Sequence, residues 1–446
     1  MASVRTFRGI LYNSEKVKRL GDVVTPPYDV ISEEERRHYV ERHPNNVVRL
    51  ILSPGRPDDT DRDNRYTRAA TYFFSWLESG VLRRDLRPAF YITEMDFKNE
   101  GRIRTRLGLI ALVRLENFGK GGILPHEKTF SATKADRFRL MQACHANFSP
   151  IFSLFPDPDE RVARALRSGI EGQAPDLDFK EAVGYRHRLW RVTDPELQGQ
   201  ISRGLAQHPL FIADGHHRYE TALNFRDDMA RRLGTRDPEA SYHYVMMYLC
   251  SLKDPGLVMR SVHRLLRRLP REAMEHFVDR AGRFFDIESL ETESEDPSMA
   301  RRAFLKKIHA GVGQGVIGAV IRGHRILYVL HVKPGVMDGV FNGRIPAALR
   351  QLDVTVATRL ILQRTLGFDE AALDDETRIS YTSRTPKAFE AVDAGRCDMA
   401  LILNPTRLSH VEEVSRAGLI MPRKSTYFFP KVLSGLVINK IDSDTL

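Results

Sequence analysis

The chain has 446 residues, which is too long for one ordinary hydrophobic core, so two or three domains are expected. Hydrophobic residues make up 42% and charged residues 28%, as in a soluble globular protein, and no apolar run approaches the roughly 20 residues that cross a bilayer. The net charge of +10 suits nucleotides, phosphorylated metabolites or nucleic acid, but its scatter among acidic residues favours phosphate binding over a dedicated DNA-binding surface.

The three cysteines, Cys144, Cys250 and Cys397, lie far apart in the sequence. Their odd number and wide spacing match neither a disulfide framework nor a CxxC zinc site, so reduced structural thiols are expected. The N-terminal stretch MASVRTFRGILYNSEK lacks the uninterrupted apolar core of a signal peptide. We therefore expect a cytoplasmic protein with no membrane partner.

The N-terminal part of the chain predicts a mixture of strands and helices. The apolar run at 45–52 predicts a strand, and the stretches 89–97 and 104–115 alternate like two paired strands. Two prolines in TPPYDVI hold the chain extended just before Tyr28 and Asp29. These two side chains could orient a substrate on a rigid turn, or the turn could simply cap the following helix.

A glycine-rich loop at 119–122 precedes the segment PHEKT. His126 and Glu127 invite comparison with a zinc-protease motif, but Phe130 stands where that motif needs its second histidine. What remains is an imidazole and a carboxylate after a mobile loop. Glu127 could act as a general base that deprotonates a hydroxyl, while Thr129 holds a phosphate oxygen. A structural hydrogen bond from a loop glutamate explains the same residue equally well.

The hydrophobic period changes within PLFIADGHHRYET, residues 209–221. Residues 210–213 form a short apolar run, as a buried strand would. From Tyr219 onward the apolar residues follow a helical stripe that ends near Gly234. The pattern therefore predicts a strand, a tight turn and a helix, in that order.

The predicted turn carries Asp214, Gly215, His216, His217 and Arg218. Gly215 allows a sharp turn or a close approach to a ligand, and the free N–H groups at the start of a helix favour an anion. We interpret the turn as a phosphate-handling site in which Arg218 binds phosphate and both histidines gain charge as the pH falls through about 6.5. A capped helix with solvated polar residues in its first turn is the alternative.

A metal site built by the protein is not expected at this turn. Asp214 with one histidine lacks a third clear ligand for zinc. Mg²⁺ carried in with phosphate is easier to accommodate, because Mg²⁺ keeps most of its water.

DGHHRYETA resembles the hallmark of the family known as domain of unknown function ten-fifteen. The stretches TPPYDVI, PHEKT, ANFSPIF, HRLW and MPRKSTYFFPK resemble that family too, and together they span essentially the whole chain. Members are often labelled ParB-like, and the local order around DGHHR is similar to the core of the ParB/sulfiredoxin superfamily. The resemblance implies an α+β, mixed-sheet multidomain protein with a ParB/sulfiredoxin-like core and a C-terminal α+β domain.

The same resemblance implies kinship with free serine kinases that use ADP or ATP. The chain departs from their pattern, because His217 stands where those enzymes tend to have a small hydroxyl residue. The chain is also much longer on both sides of the turn. The implied fold is therefore a safer transfer than the implied activity.

We expect three domains: an N-terminal α+β segment at 1–118, a ParB-like core with PHEKT and DGHHR at 119–255, and a C-terminal α+β domain at 256–446. The C-terminal domain is predicted to contain a helix at 270–284 and an acidic loop at 291–298.

Lys424, Ser425 and Thr426 resemble the end of a phosphate loop. No Gly-x₄-Gly precedes them, which excludes a Walker motif. With Lys431 they nevertheless place cations and hydroxyls in one proline-stiffened segment that would suit a fixed anion. A turn used for domain packing is the alternative interpretation.

Three functions remain open. The first is a phosphate- or nucleotide-binding enzyme of small-molecule metabolism, such as a free serine kinase-like phosphotransferase or a phosphoserine phosphohydrolase. The second is a non-metabolic ParB-like protein that binds nucleotide or nucleic acid. Residues 234–248 predict a loop and a strand, where a helix-turn-helix would be needed, so nucleic acid is the less expected partner. The third is a structural or regulatory protein that has kept a pocket.

Overall fold

The computed structural model describes residues 2–234, 237–292 and 297–442. Residues 235–236 of the loop expected after the helix, and 293–296 of the expected acidic loop, lie outside the described residues. The chain forms two compact units. The first comprises Met1–Pro125, Thr129–Val258 and Pro430–Leu446, and the second comprises His126–Lys128 and Met259–Phe429. The division into three domains stays a prediction.

The first unit contains a mixed sheet of nine strands. In order across the sheet these are Ile123–Leu124, Leu210–Asp214, Ile151–Phe155, Tyr244–Ser251, Arg102–Arg114, Phe90–Asn99, Arg186–Val192 and Leu177–Lys180, with Val4–Arg5 beside Arg102–Arg114. Leu210–Asp214 runs parallel to Ile123–Leu124, and Tyr244–Ser251 runs parallel to Ile151–Phe155. The remaining pairs are antiparallel, so the sheet is mixed, as the predicted α+β class requires.

Within the described residues of this unit, the α-helices are Glu33–Arg42, Val48–Ile51, Arg65–Glu78, Ser131–Cys144, Arg161–Ser168, Pro195–Ala206 and His216–Leu233. Short 3₁₀ turns occur at Leu20–Asp22, Tyr28–Val30 and Ser241–His243. Two small pairs of strands complete the unit, Ile10–Tyr12 with Leu82–Arg84 and Ala146–Asn147 with Asn439–Lys440.

Alternate residues of the strand Arg102–Arg114 lie on the face of the sheet that carries the main core. Leu107 and Leu109 pack in one apolar cluster with Tyr219 and Phe225 of the helix His216–Leu233. Strand side chains alternate between faces, so one face of the sheet holds this helix against it.

The second unit is built on an antiparallel sheet of six strands. Their order is Phe285–Glu291, Ile326–Val332, Val316–Ile321, Met399–Ile402, His263–Leu266 and Ile379–Thr382. Its helices are Arg271–Glu275, Phe277–Ala281, Pro297–Ala310, Val336–Phe341, Ala347–Arg350, Asp353–Val356, Glu370–Asp374, Thr385–Asp393 and Leu408–Arg416, with a π-helix at Ala357–Thr365. Short strands also occur at Val258–Met259 and Phe428–Phe429. In the part of the chain that the structure describes, no helix has the length and apolar character needed to cross a membrane.

Most predicted elements near the site are confirmed, but the strand expected at 45–52 is wrong. The chain forms the short helix Val48–Ile51 there. The Asn46 side chain accepts a hydrogen bond of 2.9 Å from the Val48 N–H, two residues on, which favours a turn at this point. The valines that suggested a strand are fully buried, and packing overrides their β propensity. The helix expected at 270–284 is likewise two shorter helices.

Candidate functional site

The predicted strand, turn and helix are confirmed around Gly215. The strand Leu210–Asp214 leads into the helix His216–Leu233, which we call the histidine helix. Gly215 joins them with a φ of 96°, in the left-handed region. A Cβ at this position would lie 2.9 Å from the guanidinium carbon of Arg218. Glycine is therefore needed both for the backbone angle and for the close approach of Arg218.

Three charged side chains meet at the end of this strand, and we call Asp214, Arg218 and Lys431 the Asp214 cluster. A guanidinium nitrogen of Arg218 donates to Oδ2 of Asp214 at 2.7 Å, and Lys431 Nζ pairs with Oδ1. Arg218 also donates to the Pro150 carbonyl. The three side chains are only 10–14% exposed, so their charges act in a poorly solvated environment. One carboxylate thus holds two cations, one at each of its oxygens.

The two histidines differ in their surroundings. His217 Nε2 accepts a 3.0 Å hydrogen bond from the Phe130 N–H, and the two rings stack at 5.9 Å. Because a backbone N–H can only donate, this nitrogen of His217 carries no proton in the structure. Burial lowers the pKa of His216 to about 3. The expectation that His216 gains charge near pH 6.5 is therefore wrong, because desolvation keeps the ring neutral.

A cavity of about 50 Å³ lies beside Arg218 within the first unit. Its polar lining residues are Tyr28, Arg137, Asn147, Ser149, Arg218 and Thr221, and most of its remaining wall is apolar, including Ile51, Leu140, Met141, Phe148, Ile151 and Val245. Thr221 is 1% exposed, and its hydroxyl has no hydrogen-bond partner among the described residues. An unpaired buried hydroxyl is costly, so this one is available to a ligand in the cavity.

Tyr28 and Arg137 form one side of the cavity lining. The Arg137 guanidinium lies 4.2 Å from the centre of the Tyr28 ring, and it donates to Asp136 and to the Ile51 carbonyl, both at 2.7 Å. Burial, with a smaller contribution from Asp29, raises the pKa of Tyr28 to about 12. The phenol therefore stays protonated at neutral pH and can donate a hydrogen bond.

The remaining predicted site residues of the first unit are Asp29 and Thr129. Asp29 is exposed, so it is open to solvent rather than held in a buried network. Thr129 is half-buried and directly precedes Phe130, whose N–H bonds His217. The end of the PHEKT loop therefore meets the histidine helix within this unit.

His126, Glu127, Lys424, Ser425 and Thr426 belong to the second unit. There, His126 Nε2 lies 3.1 Å from the Thr426 hydroxyl, and the Ser425 hydroxyl donates to the Pro422 carbonyl at 2.5 Å. The expected approach of His126 or Glu127 to the turn at Asp214 concerns two different units and stays a prediction.

Sequence reasoning did not place Arg137 or Thr221 in the site, and it did not connect Lys431 with Asp214. Thr221 had a visible signal, since it is a polar residue inside DGHHRYETA beside the apolar stripe of the helix. Lys431 is 217 residues from Asp214 along the chain, so only the fold reveals their ion pair. Among the residues that the structure describes, no group of three His, Cys, Asp or Glu side chains could hold a metal ion.

The chain belongs to the family described as protein of unknown function (DUF1015), whose model matches residues 4–355. The predicted family is thereby confirmed over these residues, while MPRKSTYFFPK at 421–431 lies beyond the match and the ParB-like label stays a prediction. No curated protein matches the chain.

Several solved structures show a weak likeness to the chain. A free serine kinase variant in complex with ADP is 12% identical, over 69% of this chain and 84% of its own, with a TM-score of 0.33. A conserved hypothetical protein from Pyrococcus furiosus is 14% identical over 70% and 89%, with a TM-score of 0.33. SbnI from Staphylococcus aureus, truncated at its C-terminus, is 10% identical over 73% and 85%, also at 0.33. Likenesses of this size support no transfer of function.

Proposed function

We propose that this member of the family binds a phosphorylated small molecule or a nucleotide in the first unit, at the Asp214 cluster and the adjoining cavity. The observation that supports this most is the position of Arg218, which pairs with Asp214 and also lines a cavity beside the Thr221 hydroxyl, for which the described residues supply no hydrogen-bond partner. A guanidinium can bind a phosphate with two donors, and the start of the histidine helix adds backbone N–H groups. Such a site suits a phosphate with a small polar group attached.

The reaction that fits this site is phosphate transfer or hydrolysis on serine or phosphoserine. In transfer, the serine oxygen forms a bond to phosphorus, the bond from phosphorus to the nucleotide oxygen breaks, and a carboxylate takes the hydroxyl proton. Asp214 is the proposed base, with Glu127 as the alternative. In hydrolysis, water replaces the serine hydroxyl and serine is the leaving group.

The remaining predicted residues have supporting roles in this proposal. His216, His217 and Gly215 would hold phosphate at the turn and Thr129 would hold a phosphate oxygen, while Tyr28 and Asp29 would orient the substrate. Lys424, Ser425 and Thr426 are the alternative phosphate position, in the second unit. Mg²⁺ fits only as an ion carried by the phosphates of ATP or ADP, because both Asp214 oxygens already pair with cations. There the ion would neutralise phosphate charge while keeping most of its water.

A thermal-shift and calorimetric screen of ATP, ADP, serine and phosphoserine tests the proposal. A ligand present at 100 times its Kd should add about 2.7 kcal/mol to the free energy of unfolding. At least one phosphorylated ligand should bind the wild-type chain. If none of them binds or stabilises the chain, the proposal fails.

The alternative function is a non-metabolic ParB-like protein that binds nucleotide or nucleic acid, and the net charge of +10 favours keeping it. Binding to duplex DNA would weaken steeply with salt, with log K falling by about 0.9 per phosphate contacted for each tenfold rise in salt concentration. Titration of duplex DNA at two salt concentrations separates the two functions. Tight, salt-sensitive DNA binding without phosphoserine or nucleotide binding would favour the alternative.

A further inference from the structure

The last segment of the first unit, residues 430–442, connects the site with the rest of that unit. We call it the C-terminal segment. Lys431 is its second residue, and its ammonium pairs with Asp214. The Lys431 side chain is only 10% exposed, which is unusual for lysine and requires specific partners. The question is whether this lysine only supports the fold or also takes part in ligand binding.

The backbone just before Lys431 is held by a buried arginine. Arg106 is 0% exposed and donates to the Pro430 carbonyl at 2.7 Å. Its guanidinium lies 5.0 Å from the ring centre of Phe152 and 5.3 Å from that of Tyr248. Arg106 is therefore a positioning residue that fixes where the Lys431 side chain begins.

The backbone after Lys431 is tied to the wall of the cavity. The Ser434 and Ser149 hydroxyls are 2.6 Å apart, and the Gly435 N–H donates to the Phe148 carbonyl at 2.9 Å. Phe148 and Ser149 both line the cavity. Lys431 thus lies between two anchored points, one of which is part of the ligand pocket itself.

Arg218 and Lys431 approach the same carboxylate from its two oxygens. Arg218 binds Oδ2 and Lys431 binds Oδ1 of Asp214, so the two cations flank the Asp214 carboxylate, and Arg218 is the one of the two that lines the cavity. An ammonium has three N–H donors, so it can bind Asp214 and a ligand oxygen together. A phosphomonoester carries a charge near −2 at neutral pH and has three acceptor oxygens, which matches two flanking cations.

We propose that Lys431 is a second phosphate-binding residue of this site, shared between Asp214 and the phosphate of a dianionic phosphomonoester. This inference rests on the proposed function, because it concerns the same ligand. The C-terminal segment then completes the site, so ligand binding and the docking of residues 430–442 stabilise each other.

Calorimetric titration of phosphoserine and ADP into Lys431→Met and Lys431→Arg variants tests the proposal. Loss of one charge-assisted hydrogen bond should weaken binding by about 10- to 100-fold in Lys431→Met. Lys431→Arg retains a cation and should recover most of the affinity, which a merely structural role for the methylene stem would not explain. Lys440→Met is the matched control, because Lys440 lies in the same segment and pairs with Asp442 at 3.0 Å. Its affinity should equal that of the wild type.

Hydrogen exchange on the wild-type chain keeps the test decisive if Lys431→Met fails to fold. Phosphoserine or ADP should slow amide exchange within residues 430–436, and unchanged exchange at saturating ligand would overturn the inference. Wild-type affinity in a folded Lys431→Met variant would overturn it too. If Arg218→Ala still abolished binding in that case, the proposed function would stand without Lys431. A wild-type chain that binds neither ligand would overturn both.

Discussion

The turn at 214–218 in the first unit and the turn at 422–426 in the second both carry cationic side chains, but they use their polar groups differently. In the first, the Arg218 side chain lines a cavity. In the second, the Ser425 hydroxyl donates to the Pro422 carbonyl, and the Thr426 hydroxyl bonds His126. Both hydroxyls of the second turn thus already have protein partners, whereas Arg218 of the first turn faces a cavity.

The buried Arg264 adds a further difference between the two turns, because it bonds the backbone of the second. Arg264 is 2% exposed and donates to the carbonyls of Arg423 and Lys424 at 3.4 and 3.3 Å. Its positive charge therefore stabilises the backbone of the second turn, and burial lowers the pKa of Arg264 to about 10. The comparison leads to four predictions, each with a matched residue elsewhere in the chain where one exists.

The largest expected effect comes from Arg218→Ala. The variant loses a bidentate phosphate ligand and leaves Asp214 with one cation, so affinity for phosphoserine or nucleotide should fall at least about 100-fold. Calorimetric titration measures the change. Arg423→Ala is the counterpart in the second turn, where Arg423 pairs with Glu376. Its affinity should stay within a few-fold of the wild type, and an equal loss in both variants would remove the distinction between the turns.

The next largest effect concerns Gly215 and Gly234, the glycines at the two ends of the histidine helix. Gly215→Ala should destabilise the fold by about 3 kcal/mol, because left-handed strain adds to the collision with Arg218. Gly234 has a φ of 61° and open space where a Cβ would be. Gly234→Ala should therefore cost only the strain, about 1 kcal/mol. Chemical denaturation compares the two, and equal losses would mean that the Arg218 contact is unimportant.

The third prediction concerns two buried titratable groups, one in each unit, whose shifted pKa values change the stability with pH in opposite directions. Burial raises the pKa of Asp353 to about 6. Between about pH 4 and 6 the folded chain therefore keeps a proton that the unfolded chain has lost, so the free energy of unfolding falls as the pH rises through this range. His216 has the opposite sign, because its lowered pKa makes stability fall as the pH drops below about 6.5.

Asp353→Asn removes the ionisation cost in the second unit. It should raise the free energy of unfolding by about 3 kcal/mol at pH 7 and by less than about 1 kcal/mol at pH 4. Denaturation at the two pH values measures this. A gain that is the same at both would show that Asp353 ionises without penalty.

The smallest expected effect comes from two buried threonines. Thr221→Val and Thr355→Val each remove a hydroxyl that has no hydrogen-bond partner among the described residues, so both should stabilise the ligand-free chain by about 1 kcal/mol. Only Thr221 lines the cavity. Thr221→Val should therefore also weaken phosphoserine binding, by about 5- to 10-fold. If Thr355→Val weakened it equally, the hydroxyl of Thr221 would have no special role.

The comparison also shows what the sequence could and could not predict. The strand, turn and histidine helix followed from a local change of hydrophobic period and from Gly215, because local geometry fixes them. The strand predicted at 45–52 was wrong, because the short helix that forms there depends on the Asn46 hydrogen bond and on the complete burial of Val47 and Val48. The ion pair of Lys431 with Asp214 depends on the fold of the whole unit, which no local pattern encodes.

The position of a bound phosphate tests the central claim most directly. Crystals of the wild-type chain soaked with phosphoserine should show the phosphate within hydrogen-bond distance of Arg218, with the rest of the molecule in the cavity near Thr221. That result would distinguish the turn at 214–218 as the ligand site. A phosphate bound at Lys424, Ser425 and Thr426, with the cavity beside Arg218 empty of ligand, would contradict the account.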